Sequence, residues 1–419
     1  MHIIAAVTLI FYILCVSFFI SKYGVHSPSS LFFLALGFFQ VSRLIYCAFP
    51  SLNHFLDGED YTLDSLLLLT SIISFTLGHE LFIKQGKAVV STTNVLCENQ
   101  VLFDIGKYII LASFLPTMIV AVESITSFSG SYGIDEGGPS PLQKIGLYSS
   151  TIGLQLINCS GHSISRQHII LISMVALPRL LLSFVSMRGY FLFFVLAEFS
   201  LLFITGQVNL KWAKVINTSI AGFLPLLIII PLSTRSGLSI SQLMNEIASV
   251  VYSFSDPITV INLANENINN IPKIIYSFSS VIALYFPFLG LEDYYISASE
   301  NPLGEGIMVN RLDRALSKYL LWDRGMKFAG TGGNYIADLN MDGGFVGVML
   351  GSALLGRVVK IFEDTVKNSR LVLFLAFYFL QKLIYLPRGT YTELFDMLPI
   401  YSLIFIIIVF ISKFLPTKT

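Results

Sequence analysis

The sequence predicts an all-α polytopic membrane protein with roughly eleven transmembrane helices and one large polar segment late in the chain. Two observations carry the class. Of 419 residues 54% are hydrophobic and 12% charged, against about 25% charged in an ordinary globular chain. Apolar runs close to about 20 residues, the length that crosses a bilayer, recur along the sequence. A third observation sets the organisation: residues 233–341 break the pattern and carry seven Lys and Arg.

Residues 1–232 read as an N-terminal bundle of about eight helices. The spans are Ile3–Ile20, Leu31–Ala48, Leu63–Ile83, Val101–Val122, Ile145–Asn158, His168–Met187, Tyr190–Thr205 and Val215–Leu232. Ile3–Ile20 lacks a basic leader and a small-x-small cleavage site, so it reads as a retained helix. Residues 342–419 supply about three more: Gly343–Val359, Leu371–Leu386 and Leu398–Phe414.

Lys and Arg orient these spans. Twelve lie in one set of short loops and the tail, including Lys84, Lys87, Arg357, Lys360, Lys367 and Arg370. Only Lys144, Arg188 and Arg388 lie in the opposite set. The asymmetry predicts a cytoplasmic C-terminus and an external segment 233–341. No internal repeat, P-loop, CxxC or HExxH occurs, so ATP-driven work and a zinc centre of that type are not expected. The four cysteines sit in or beside apolar spans and imply no disulfide framework.

Arg188 and Arg388 depart from the charge rule together, and each is followed by glycine, in Ser186-Met187-Arg188-Gly189 and Leu386-Pro387-Arg388-Gly389. Glycine admits a ligand close to the backbone, and a guanidinium offers a planar fork suited to phosphate. The plainer alternative is an interfacial arginine snorkelling to headgroups. Arg43, Lys107, Arg179, Glu198 and Lys382 fall inside spans, where each needs a partner or a wet cavity. His79-Glu80, at a span end, reads as an end-of-helix polar pair, with a proton relay as the alternative.

Within the polar segment, Arg311, Arg314 and Lys318 share one helical face, and Leu312, Leu316, Tyr319 and Leu320 largely cover the other. Such a helix lies flat in the interface, and its basic face is able to receive a lipid-linked phosphate. Ile240–Phe254 is a second amphipathic stretch, and Ile274–Leu289 reads as re-entrant or interfacial. A glycine-rich lead, Gly330-Thr-Gly332-Gly333-Asn334-Tyr335-Ile336-Ala337-Asp338, then runs to Asp342-Gly343-Gly344-Phe345-Val346-Gly347. Asp338 and Asp342, four apart, share a helix face. Gly343, Gly347, Gly351 and Gly356 read as a helix-packing stripe.

On these residues the chain resembles the Wzy-type O-antigen polymerases. The layout, the Arg-Gly pairs, the glycine-rich pattern and the Arg314-x10-Gly325 spacing carry the resemblance. The related ligases carry a His-Asn pair where this chain has Gly333-Asn334, which favours polymerase. A ligase, or a non-enzymatic lipid-linked oligosaccharide flippase, is the alternative. The resemblance implies a GT-C-like glycosyltransferase in the bacterial inner membrane, with segment 233–341 periplasmic. It implies transfer of a growing glycan from undecaprenyl pyrophosphate onto the next undecaprenyl-pyrophosphate-linked repeat unit. The implied partners are that oligosaccharide, membrane lipids and a chain-length regulator protein, with no nucleic acid.

That chemistry makes two demands. The departing pyrophosphate gains negative charge, so fixed cations near it lower the barrier. The acceptor hydroxyl loses a proton, so a carboxylate belongs within its reach. Arg188, Arg235, Arg311, Arg314 and Arg388, with Asn334, are the candidates for pyrophosphate and glycan. Asp338 and Asp342 are the candidate bases, and Asp57–Asp60 and Asp135-Glu136 are the alternatives. No cofactor and no divalent metal are expected, because arginines supply the countercharge.

Overall fold

A computed structural model describes residues 2–48, 61–81, 98–126, 141–162, 164–185, 188–207, 258–269, 275–278, 285, 295–296, 307–308, 312–316 and 333–414. These residues are helical, apart from short loops and a two-residue antiparallel pairing of β1 (Tyr295–Ile296) with β2 (Ile307–Met308). In chain order the helices are α1 (His2–Tyr23), α2 (Pro28–Leu36), α3 (Ser42–Ala48), α4 (Thr62–Glu80), α5 (Gln100–Thr126), α6 (Pro141–Cys159) and α7 (Arg166–Val185). They continue with α8 (Arg188–Ile204), α9 (Thr259–Glu266), α10 (Leu312–Leu316), α11 (Tyr335–Thr365), α12 (Arg370–Tyr385) and α13 (Leu398–Ser412).

Among the described residues, six helical stretches are long and apolar enough to cross a membrane. Every predicted span falls on a helix except Val215–Leu232, which lies outside the described residues, as do Ile240–Phe254, Asp57–Asp60 and Asp135-Glu136. The chain forms two compact units.

The first unit comprises Met1–Ala88, Ile247–Glu363 and Lys382–Met397. Ser27 caps α2, its hydroxyl accepting from Ser30 N ahead of Pro28, the arrangement that starts a helix well. A five-residue π-helical stretch, Gly37–Val41, then joins α2 to α3 within one membrane-length span. Phe19, Phe32, Phe33 and Phe75 pack into one aromatic cluster. On α4 and α11 the backbones touch: a Cβ on Gly78 would stand 1.9 Å from Ala353 O, and one on Gly356 2.1 Å from Phe75 O. This is the close approach that small residues permit between membrane helices.

The glycine stripe predicted on α11 is only partly a helix–helix seam. Gly344 has φ +57° and ψ −146°, and with Gly343 it breaks α11 into two halves. Gly347 and Gly351 pack on Leu339, where their Cβ atoms would stand 2.3 Å from its carbonyl oxygen and its side chain respectively. In a straight helix, residues eight and twelve apart lie about 12 and 18 Å apart along the axis. The contact therefore requires the chain to fold back at Gly343-Gly344.

His79 is more than an end-of-helix pair. It is fully buried, with Nδ1 3.0 Å from Glu80 and Nε2 3.0 Å from Glu363. Glu363 also accepts from the Ser29 backbone and hydroxyl, and Lys22 pairs with Glu80. The cluster ties α1, α2, α4 and α11. Lys382 pairs with Glu393 at 3.3 Å, and the Arg43 guanidinium lies 5.3 Å from the centre of the Tyr61 ring.

The second unit comprises Val89–Glu246, Asp364–Gln381 and Leu398–Thr419. Gly106 and Gly153 bring α5 and α6 into backbone contact. Arg179 on α7 is buried and donates to Leu147 O at 2.9 Å, Val175 O at 2.7 Å, Ser150 Oγ at 3.2 Å and Thr151 Oγ1 at 2.6 Å. Its guanidinium also covers the Phe194 ring. Buried Glu198 accepts from Asn158 Nδ2 with both carboxylate oxygens, at 3.1 and 3.0 Å. These in-span charges are satisfied by polar neighbours, as the cost of burying them demands.

Candidate functional site

Three segments distant in sequence meet at the start of α11, all within the first unit. They are the π stretch Gly37–Val41, the lead Gly333-Asn334, and the turn Leu386–Arg388 with Gly389. Asn334 Oδ1 accepts Ile336 N at 2.9 Å, which satisfies one of the helix's first free N–H groups. The same oxygen accepts Gln40 Nε2 at 3.2 Å, and Gln40 Nε2 also donates to Pro387 O at 2.6 Å. Gly333 packs directly on the turn: a Cβ there would stand 2.9 Å from the Gly389 carbonyl carbon and 3.2 Å from Arg388 O. Only glycine allows that contact.

Arg388 leaves this junction half-buried, with its guanidinium carbon 5.9 Å from the centre of the Phe39 ring. Among the described residues no carboxylate pairs with it. An arginine held on an aromatic face beside the positive end of a long helix is an anion site in outline.

The two acids have different surroundings. Asp338 is 1% exposed, and its Oδ2 accepts Tyr391 N at 2.9 Å. Asp342 is exposed, and its two oxygens accept Tyr276 N at 2.6 Å and Ser277 N at 2.7 Å. Asp338 therefore fastens the segment after Arg388, whereas Asp342 fastens residues 276–277 and stays at the surface. Tyr391 is buried, donates its hydroxyl to Gly351 O at 3.1 Å, and has its phenol pKa pushed up by that burial.

Of the predicted site residues, Asn334, Asp338, Asp342 and Arg388 are brought to α11 and the turn that meets it. Arg188 is the first residue of α8, in the second unit, and its side chain lies outside the described part. Arg314 lies on α10, whose Leu312, Ala315 and Leu316 are buried, and its side chain is likewise outside. Arg235 and Arg311 lie outside the described residues. Gln40 and Tyr391 were not anticipated. The signal for Gln40 was an amide in mid-span, a costly placement unless its polar groups are used.

The whole chain, residues 1–419, matches the sequence profile of the family described as O-antigen polysaccharide polymerase Wzy. No curated protein and no solved structure matches it.

Proposed function

The chain belongs to the O-antigen polysaccharide polymerase Wzy family, and from that premise we propose a specific reaction and site. The protein moves a growing glycan from undecaprenyl pyrophosphate to the next undecaprenyl-pyrophosphate-linked repeat unit. It works at the periplasmic face of the inner membrane, as a GT-C-like glycosyltransferase with about eleven spans. Segment 233–341 is periplasmic and the C-terminus cytoplasmic, as the distribution of Lys and Arg favours.

The observation that carries the site is Arg388, a half-buried guanidinium at the start of α11 with no carboxylate partner among the described residues. Asp338 in the first turn already offsets part of the helix's positive end. The countercharge for a diphosphate therefore comes from arginine: Arg388 first, with Arg311 and Arg314 from another segment of the same unit. Asn334 holds the helix start against which the phosphate rests.

In the transfer, an acceptor hydroxyl oxygen bonds to the anomeric carbon of the donor. The bond from that carbon to the pyrophosphate oxygen breaks, and its electron pair leaves on the pyrophosphate, facing the arginines. The hydroxyl proton passes to a carboxylate. Asp342 is the base, since it reaches the surface and each oxygen keeps a lone pair beyond its N–H contact. About 12 Å of helix separates it from Asn334, the length of a diphosphate, an anomeric carbon and an attacking hydroxyl. Buried Asp338 is a positioning residue, acting through Tyr391 on the segment after Arg388.

Gene deletion followed by electrophoresis of lipopolysaccharide tests the reaction. Loss of a polymerase leaves core bearing a single repeat. Core bearing none points instead to a ligase or flippase.

A further inference from the structure

Gln40 is a fully buried amide in the middle of a membrane-length span. Its position comes from the π stretch Gly37–Val41, a local widening of the helix that is rare and recurs at functional sites. The orientation of its amide follows from its partners. Ile336 N donates to Asn334 Oδ1, so that atom is an acceptor, and Pro387 O is a carbonyl. The Gln40 atom facing both must be the NH2 group, and turning the amide over would set oxygen against two oxygens.

Both donors of Gln40 are thereby committed to the two backbone segments that frame Arg388. Pro387 O belongs to the peptide unit whose nitrogen is that of Arg388. The next residue back, Phe39, lies under the Arg388 guanidinium. One π stretch thus meets Arg388 twice, gripping its peptide through Gln40 and its head group through Phe39. Among the described residues no donor meets the buried Gln40 Oε1, so what holds the amide in place there is its nitrogen.

We infer that Gln40 is the positioning residue for Arg388: it clamps the start of α11 to the Leu386–Arg388 turn, and so fixes the guanidinium where the lipid pyrophosphate binds. The inference rests on the pyrophosphate role proposed for Arg388. It assigns Gln40 no contact with the reacting atoms. Loss of the clamp therefore weakens both engagement of the lipid pyrophosphate and stabilisation of the charge it gains in transfer.

The test uses the full-length protein in lipid nanodiscs, with radiolabelled undecaprenyl pyrophosphate as the probe. Gln40→Met keeps the shape and removes both donors, and Gln40→Glu keeps the shape and replaces the donors with an acceptor. Each is expected to bind the probe about ten- to a hundredfold more weakly. Arg388→Ala weakens binding as well, and the double variant Gln40→Met/Arg388→Ala binds no more weakly than Arg388→Ala alone. In turnover, Gln40→Met raises KM for the lipid-linked donor and lowers kcat, and in the Arg388→Ala background it lowers kcat/KM no further. Wild-type binding by Arg388→Ala would overturn the pyrophosphate reading itself. Weak binding by Arg388→Ala with wild-type binding by Gln40→Met would overturn the inference alone. So would a double variant weakened by the product of the two single effects, in binding or in kcat/KM. Thermal melting of each variant identifies a fold defect, and a melting point lowered in proportion to the binding loss also counts against the inference.

Discussion

Asp338 accepts the backbone N–H of Tyr391 at 2.9 Å, across 53 residues of sequence. The bond joins the first turn of α11 to the segment that follows Arg388. Asp338→Ala leaves that buried N–H unmet, a loss of about 1–3 kcal/mol. Thermal melting is expected to show the loss, with weaker engagement of the lipid-linked donor. An unchanged melting point in Asp338→Ala would remove the fastening role.

Asp342 is predicted to behave differently. Asp342→Asn keeps a carbonyl oxygen for one of the two backbone donors and removes the carboxylate proposed as the base. Turnover at saturating donor is expected to fall by about a hundredfold or more, with probe binding near wild type. A single-turnover assay separates the two quantities, and full turnover in this variant would exclude Asp342 as the base.

Gly344 sits at φ +57° and ψ −146°, a region that residues with a Cβ occupy only under strain. Gly344→Ala is expected to cost about 1–3 kcal/mol and to open the fold-back that seats Leu339 on Gly347 and Gly351. Space for a side chain is not the obstacle, because none of the described residues lies within 4 Å of where that Cβ would stand. Gly343→Ala, at φ −156°, serves as the control and is expected to be milder when melting points are compared.

Tyr391 reads as an acid only on paper. Burial pushes its phenol above the ordinary value, so it stays protonated throughout the neutral range. Its hydroxyl is spent on Gly351 O. Tyr391→Phe is therefore expected to lose about 0.5–1.5 kcal/mol of stability and to keep the wild-type shape of its pH–rate profile. A missing limb in that profile would give Tyr391 a part in proton transfer.

The membrane helices were legible because hydrophobic length is a local property. Leu31–Ala48 announces a span whatever it packs against, and α2, the π stretch and α3 together fill it. The π register was not legible, since Gly37-Phe38-Phe39-Gln40-Val41 has the composition of ordinary apolar helix. Asp338 and Asp342 stood out by their spacing, but their partners Tyr391 and Tyr276 lie 53 and 66 residues away, where no periodicity reaches. The glycines of α11 were recognised as packing positions. That two of them pack on Leu339 of the same helix depends on the positive φ of Gly344, which the sequence expresses only as one more glycine. Arg388 was conspicuous because it broke the charge asymmetry, a signal independent of fold.

On the proposed reaction, Arg388 holds the lipid pyrophosphate during chain extension. The most direct test of that role is the lipopolysaccharide ladder of a deletion strain carrying Arg388→Ala at wild-type protein abundance. Long chains are expected to vanish and core bearing a single repeat to accumulate. A full-length ladder at equal abundance would contradict it.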